Sequence, residues 1–261
     1  MGLRRIARGA VKQKAWAMTY RLYYWPGIQG RGEFIRLALE EAGADYVDVA
    51  RGDESHGQGV PALMALLKDH AAAEPPFAPP FLKDGEMVVS QVANILQHLA
   101  PKLGLAPEGE ALGRFAHGLQ LTIADVVAEV HDTHHPLSAS SYYEDQKDAA
   151  KARSADFIRN RMPKYLGYFE RVLENNPKGS DQAVGDGLTT VDLSLFQLVA
   201  GLAYAFPKAT ADFAKPYPKL GALRAAVARR PNIARYLASD RRLAFNEQGI
   251  FRHYPELDRA G

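Results

Sequence analysis

The sequence predicts an α/β layer followed by an all-α domain, and three observations carry that expectation. Residues 20–25 (YRLYYW) are an aromatic, β-prone run. Residues 79–99 hold a proline pair, two short strands around a turn, and an amphipathic helix. From about residue 111 the apolar residues recur at helical spacing almost to the end.

The first strand spans Tyr20 to Trp25, and Pro26-Gly27 ends it. A helix over Gly32 to Ala42 buries Phe34, Ile35, Ala38 and Leu39 and stops at Gly43. Tyr46 to Val49 reads as a second short strand. Phe81 and Leu82 form a buried strand, Asp84-Gly85 supplies a turn that needs positive φ, and Met87 to Val89 returns antiparallel. Ser90 and Gln91 open a helix that packs Val92, Ile95, Leu96 and Leu99 back onto the hairpin. The order β-α-β then β-β-α is a small thioredoxin-like layer. The free N–H groups at the start of that last helix suit a carboxylate. A fixed proline bend beside a strand edge presents backbone acceptors to an extended peptide. The corner therefore fits a small anionic peptide.

The text changes character over Ala106 to Gly113. After it, Leu112, Phe115, Leu119, Ile123, Val126, Val127 and Val130 form one long apolar stripe. A second helix is expected from near Tyr142 toward Leu173, with Pro163 as a kink or break. At Leu188 to Leu193, Thr189 and Asp192 have capping-box spacing, with Leu188 and Leu193 at the staple positions, and an apolar helix over Val191 to Tyr204 follows. Tyr217-Pro218 and Arg230-Pro231 punctuate two shorter helices. The expected organisation is a basic extension over 1–17, the α/β domain over 18–104, the helical domain over 111–250, and a tail over 251–261.

At 261 residues with 47% apolar content the chain can bury a sizeable core. It has no cysteine, so any thiol chemistry must use a thiol brought by the ligand. Five cations and no acid lie in residues 1–17, which turns the overall formal charge of +2 into −3 for the remainder. That mildly acidic body argues against a nucleic-acid footprint. Residues 1–17 read as an upstream start, with Met18 before the strand, as a disordered extension, or as an organelle presequence. No run of 18 apolar residues exists, so no membrane helix is expected.

Tyr24-Trp25-Pro26, Gly30-Arg31 and Ile35-Arg36-Leu37 resemble the opening of the tyrosine-type glutathione S-transferases (mu-, pi-, sigma- or alpha-like). Pro80-x-Leu82-x-Asp84-Gly85, then Gln91 and Ala93-Asn94-Ile95-Leu96, resembles their glutathione-site hairpin and helix. Gly185-Asp186-x-Leu188-Thr189-Thr190-Val191-Asp192-Leu193 resembles the capping segment of their helical domain. The similarity spans about residues 19–250.

The resemblance implies a cytoplasmic, homodimeric enzyme that activates glutathione as co-substrate, without a metal, for conjugation to a small, largely apolar electrophile. Tyr24 matches the catalytic tyrosine: a hydroxyl held against the sulfur favours thiolate over thiol. Trp25, Arg31 and Gln91 match residues of the peptide site, and Pro80 the cis proline. Arg51 and Lys68 could neutralise the glycyl carboxylate, but the loop between them departs from the family in length and content, and both read as solvated side chains outside the expected site. Asp125 corresponds to an acidic residue that reaches the γ-glutamyl amine across a dimer. Two positions depart from the pattern. Val92 replaces a hydroxyl residue that meets the γ-glutamyl carboxylate, and Pro79, before the cis proline, offers only its carbonyl to the cysteinyl backbone. His131 and His135, one helical turn apart, fall short of the three or four ligands of a metal site and are better placed to line the electrophile pocket with Tyr142 or Tyr143. A glutathione-dependent lyase, isomerase or etherase, and a non-catalytic binding protein, are the alternatives on the same scaffold.

Overall fold

The computed structural model describes residues 19–179 and 181–258, so the basic segment 1–17 lies outside the described residues. The α/β layer runs β1 (Tyr20–Tyr23), α1 (Gly32–Ala42), β2 (Tyr46–Asp48), α2 (Gly59–Leu67), β3 (Phe81–Asp84), β4 (Met87–Ser90) and α3 (Val92–Lys102). The helical part is α4 (Glu110–Asp132), α5 (Lys147–Asp156), α6 (Met162–Glu174), α7 (Thr190–Ala205), α8 (Pro218–Ala228) and α9 (Pro231–Leu237).

The sheet order is β2-β1-β3-β4, with β1 parallel to β2 and the other two pairings antiparallel. Strand alternation separates its two faces. Leu22, Leu82 and Val89 pack under Ile35 and Leu39 of α1 and Ile95 and Leu99 of α3. Tyr23 and Phe81 point the other way, stacked 5.0 Å apart, and pack with Val49, Ala50 and Leu63. Gly85 turns the hairpin at φ +62. Gly43, also at φ +62, ends α1 at the expected residue.

Helix α1 is buried from both sides. Its Phe34, Leu37 and Ala38 enter the same apolar cluster as Val126 and Val130 of α4 and Leu195, Leu198 and Leu202 of α7. The core of the helical part therefore extends onto α1, while the sheet keeps a cluster of its own on each face. The capping box forms: Asp192 accepts from Thr189 N at 2.7 Å and Thr189 Oγ1 at 2.9 Å, and it also takes Ala183 N at 2.7 Å.

Several expectations are corrected. The first strand stops at Tyr23, which frees Tyr24 and Trp25 from the ladder. The region between Arg51 and Lys68, read as a loop, contains α2. Pro163 does not break its helix, which runs on without interruption from Lys147 to Glu174, and the expected disturbance takes the form of a local change of pitch. The irregularity lies just upstream, as a π-helical segment over Phe157–Arg161. Leu112 and Phe115 of the predicted stripe are exposed. Residues 251–258 are no tail. Phe251 is buried so tightly against Gly201 that an added Cβ there would lie 2.4 Å from its ring, and Asp258 takes Lys208 N at 2.7 Å and Ala209 N at 3.0 Å.

Candidate functional site

Tyr24 is only 3% exposed, and two glycines explain how it is seated. At Gly32 an added Cβ would stand 2.6 Å from the ring's Cδ1, and at Gly30 it would stand 2.1 Å from the phenolic oxygen. Gly30 also holds φ +45, in the left-handed region that favours glycine. The chain thus folds over the ring so closely that the Arg31 N–H donates to Tyr24 Oη at 2.9 Å. The Arg36 guanidinium lies 5.8 Å from the ring centroid on the other side. Burial pushes the Tyr24 pKa up, only partly opposed by the Arg31 N–H and by the charges of Arg31 and Arg36. The group is therefore a neutral phenol at physiological pH. Its oxygen accepts one hydrogen bond, and its proton has no acceptor among the described residues.

Gln91 links β4 to α3 with φ 70 and ψ 127, a conformation rare for a residue with a side chain. That backbone turn exposes the Gln91 side chain and starts α3 with no side-chain cap. The first-turn N–H groups of Val92, Ala93 and Asn94 have no intrahelical acceptor, and those three residues help to line a cavity of about 280 Å³. Arg31, Phe34 and Gln91 form further wall, and α4 closes it with His117, Gln120, Leu121, Ile123, Ala124 and Val127. Arg31, Gln91 and Val92, singled out from the sequence, therefore meet around one space. Its walls are mostly apolar, and Arg31 and the first turn of α3 contribute to them, an arrangement suited to a ligand carrying a carboxylate.

The other expected residues take separate places. Tyr24 stands behind Arg31, outside the cavity wall. Trp25 is 37% exposed just beyond the strand. The Pro79-Pro80 bond is cis, Pro80 is buried, and Pro79 is half-buried. Asp125 is on the exposed face of α4 and does not line the cavity. Arg51 is committed elsewhere, donating to the backbone oxygens of Arg241 and Asp240. Lys68 follows α2 at the surface.

The histidines end α4 as a packed group. His134 Nε2 donates to the Ile250 carbonyl at 2.8 Å, which leaves its Nδ1 to accept from His135 Nδ1. His131 stacks on His135 with ring centroids 5.0 Å apart. Burial, with Arg252 nearby, pushes His134 down to about 3 and His135 down to about 4, and burial and the Arg31 charge lower His131. All three are neutral at pH 7. Among the described residues no group of three or more His, Asp or Glu side chains is arranged to hold a metal ion.

The seat of Tyr24 was only half visible from sequence. Gly30 entered as part of a motif, whereas the need for glycine on both sides of Arg31 depends on a ring seven residues away. His117 and Phe34 carried no signal beyond their place in a helical pattern.

Known proteins bear on this geometry. A family profile described as "Glutathione S-transferase, C-terminal domain" matches residues 131–240. A glutathione S-transferase of Plasmodium falciparum is 26% identical over 224 residues, covering 84% of this chain and 94% of its own length. A bovine glutathione S-transferase P is also 26% identical, over 84% of this chain and 92% of its own. Among solved structures, the Pi-class glutathione S-transferase of Onchocerca volvulus superposes with a TM-score of 0.66 over 89% of this chain and 99% of its own, at 22% identity. A monomeric glutathione S-transferase of Necator americanus gives a TM-score of 0.63 over 87% of this chain, at 18% identity. Fold, profile and relatives together support placing the chain in the cytosolic glutathione S-transferase superfamily.

Proposed function

We propose that the chain is a glutathione S-transferase in which the Tyr24 hydroxyl donates a hydrogen bond to the sulfur of bound glutathione. One observation carries the reading: the Tyr24 oxygen is fixed by the Arg31 N–H at 2.9 Å, while its own proton has no acceptor among the described residues. A thiol of pKa about 8.5 is mostly protonated at neutral pH. A phenol raised above its usual pKa stays protonated and so donates to the thiolate rather than competing for the proton. The thiolate, its proton released to solvent, then forms a carbon–sulfur bond as a leaving group departs with its bonding pair or, in an addition, as the π pair moves onto the acceptor and takes up a proton. The sulfur must come within about 3 Å of Tyr24 Oη for this to operate, although the ring is 3% exposed and stands outside the cavity wall.

The tripeptide is held by the Val92 and Ala93 N–H groups and Arg31 at its charged γ-glutamyl end, by Gln91 beside them, by the Pro79 carbonyl at its cysteinyl backbone, next to cis Pro80, and by Trp25. The absence of a hydroxyl at Val92 removes one charged hydrogen bond, worth about 1.5 to 3 kcal/mol, so weaker glutathione affinity accompanies the reading. Mostly apolar walls suit a small, largely apolar electrophile. Pairing of two copies through α4 is part of the proposal. Leu121 and Asp125, one turn apart, are exposed on the same side of that helix, and Phe77 is 91% exposed in the loop before β3.

Thiolate ultraviolet absorbance of bound glutathione, as a function of pH, tests the reading. The wild type is expected to lower the thiol pKa, and Tyr24→Phe to raise it again by about 1 to 2 pH units, the equivalent of one hydrogen bond to a charge. A wild type that leaves the thiol pKa unchanged rejects the catalytic role. A panel of electrophiles assayed by product analysis separates conjugation from isomerisation or ether cleavage, and light scattering gives the number of copies.

A further inference from the structure

The loop between Tyr24 and α1 is held from across the molecule by a buried side-chain chain. Gln29 is 4% exposed. Its Nε2 donates to the Leu243 carbonyl, and its Oε1 accepts from Gln197 Nε2 at 2.8 Å, although 168 residues separate the two glutamines. Gln197, fully buried on α7, accepts from the Arg242 guanidinium on its own Oε1 at 3.0 Å. Arg242 also pairs with Glu33 of α1, which further accepts from the Tyr236 hydroxyl at 2.8 Å.

The direction of this chain is set by chemistry. A guanidinium only donates, so Arg242 requires the oxygen of Gln197. That turns the Gln197 NH₂ toward Gln29 and requires the oxygen of Gln29, which leaves the Gln29 NH₂ for a carbonyl. The Gln29 backbone is gripped as well, since its carbonyl accepts from Glu33 N at 3.0 Å and from Arg36 at 3.3 Å. Stability alone does not call for such an arrangement, because an apolar pair of the same shape is nearly equivalent to a satisfied polar one. What a directional chain adds is a fixed position for the segment it holds.

That segment carries Gly30 and Arg31, which form the seat of Tyr24. We infer that Gln29 is a positioning residue: it ties the loop to α7 so that the Arg31 N–H stays within hydrogen-bond reach of Tyr24 Oη. The inference rests on the reading of Tyr24 as the donor to the thiol. At 2.9 Å the contact tolerates a retreat of only about half an ångström before it ceases to be a hydrogen bond. Without it the Tyr24 O–H loses the polarisation that one hydrogen bond lends the next.

The test compares the full-length wild type with Gln29→Met, Gln197→Met and the double variant, each replacing an amide by an apolar group of similar length. Asn232→Ala is the control. It removes a different cross-domain bond, from Asn232 Nδ2 to the Glu41 carbonyl at 2.7 Å, at the opposite end of α1. Amide hydrogen exchange on the ligand-free protein reads the Arg31 N–H directly. Protection of that amide is expected to fall about tenfold in either methionine variant, no further in the double, and not at all in the control. With glutathione and a chromogenic electrophile, kcat is expected to fall about three- to tenfold and the acid limb of kcat/KM to move up by about half a pH unit, with the glutathione KM within twofold. Unchanged Arg31 protection in Gln29→Met overturns the inference, as does an equal shift of the acid limb in Asn232→Ala. Lost Arg31 protection in Gln29→Met, alongside a Tyr24→Phe variant that leaves thiol ionisation untouched, upholds the tether and rejects only the catalytic role of Tyr24.

Discussion

Replacing Gly30 by alanine should disable the site while leaving the fold in place. The added Cβ would stand 2.1 Å from Tyr24 Oη, against an ordinary contact of 3.4 Å or more, so the hydroxyl must retreat by about 1.3 Å. A misplacement of about 1 Å at a reacting group costs on the order of 100-fold in rate. The left-handed φ of +45 adds about 1 to 2 kcal/mol of backbone strain for alanine. The predicted outcome is a kcat/KM about 100-fold below wild type, a bound-thiol pKa close to that of free glutathione, and a thermal midpoint lowered by only a few degrees. Gly27→Ala is the paired control, because nothing lies within 4 Å of its added methyl group and its φ is not positive. Steady-state kinetics and thiolate absorbance on both variants decide the matter. A Gly30→Ala enzyme with wild-type thiol ionisation would refute the idea that this close approach organises the phenol.

Asp192→Ala should lower unfolding free energy by about 4 kcal/mol in denaturant titrations, since the buried N–H groups of Ala183 and Thr189 lose their acceptor and each costs about 1 to 3 kcal/mol. His134, pushed down to about 3 in the folded chain, must protonate on unfolding below its free value of about 6.5, so stability present above pH 6.5 drains away as pH falls, at about 1.4 kcal/mol per unit for this residue. His134→Gln is expected to flatten the denaturant-midpoint profile between pH 6 and pH 4 by about that slope. Gln91→Gly should raise stability by about 1 kcal/mol, as relief of about 1 to 3 kcal/mol of backbone strain exceeds the roughly 0.4 to 1 kcal/mol of added unfolded-state entropy, and calorimetry should show weaker glutathione binding in the same variant.

Local chemistry was legible in the sequence wherever neighbours decide the outcome. Gly43 stops α1 because only glycine takes φ +62 without strain there, and the Thr189–Asp192 box forms because its partners are three residues apart. Helix α2 escaped notice because Gly57, Gly59 and Pro61 punctuate its start like a loop, yet Pro61 falls in a first turn, where proline is tolerated. Leu112 and Phe115 obey the helical period of α4 but stay partly exposed in a groove beside Tyr168 and Val172 of α6, and periodicity alone does not say how fully an apolar face is covered. Around the cavity, Arg31 and Gln91 were recoverable from a motif. The seat of the ring and the Gln29–Gln197 contact were not, since both depend on residues brought together by tertiary packing across the two halves.

Because α1 belongs to both halves, neither half is a module that could be lifted out. Cutting the chain between α3 and α4 would turn Phe34, Leu37 and Ala38 to water and leave Glu33 without Arg242 and Tyr236. Heat or denaturant should therefore melt the protein in one step. Any variant that loosens the grip of the helices would reach the tyrosine through the same helix that carries Arg36 beneath its ring.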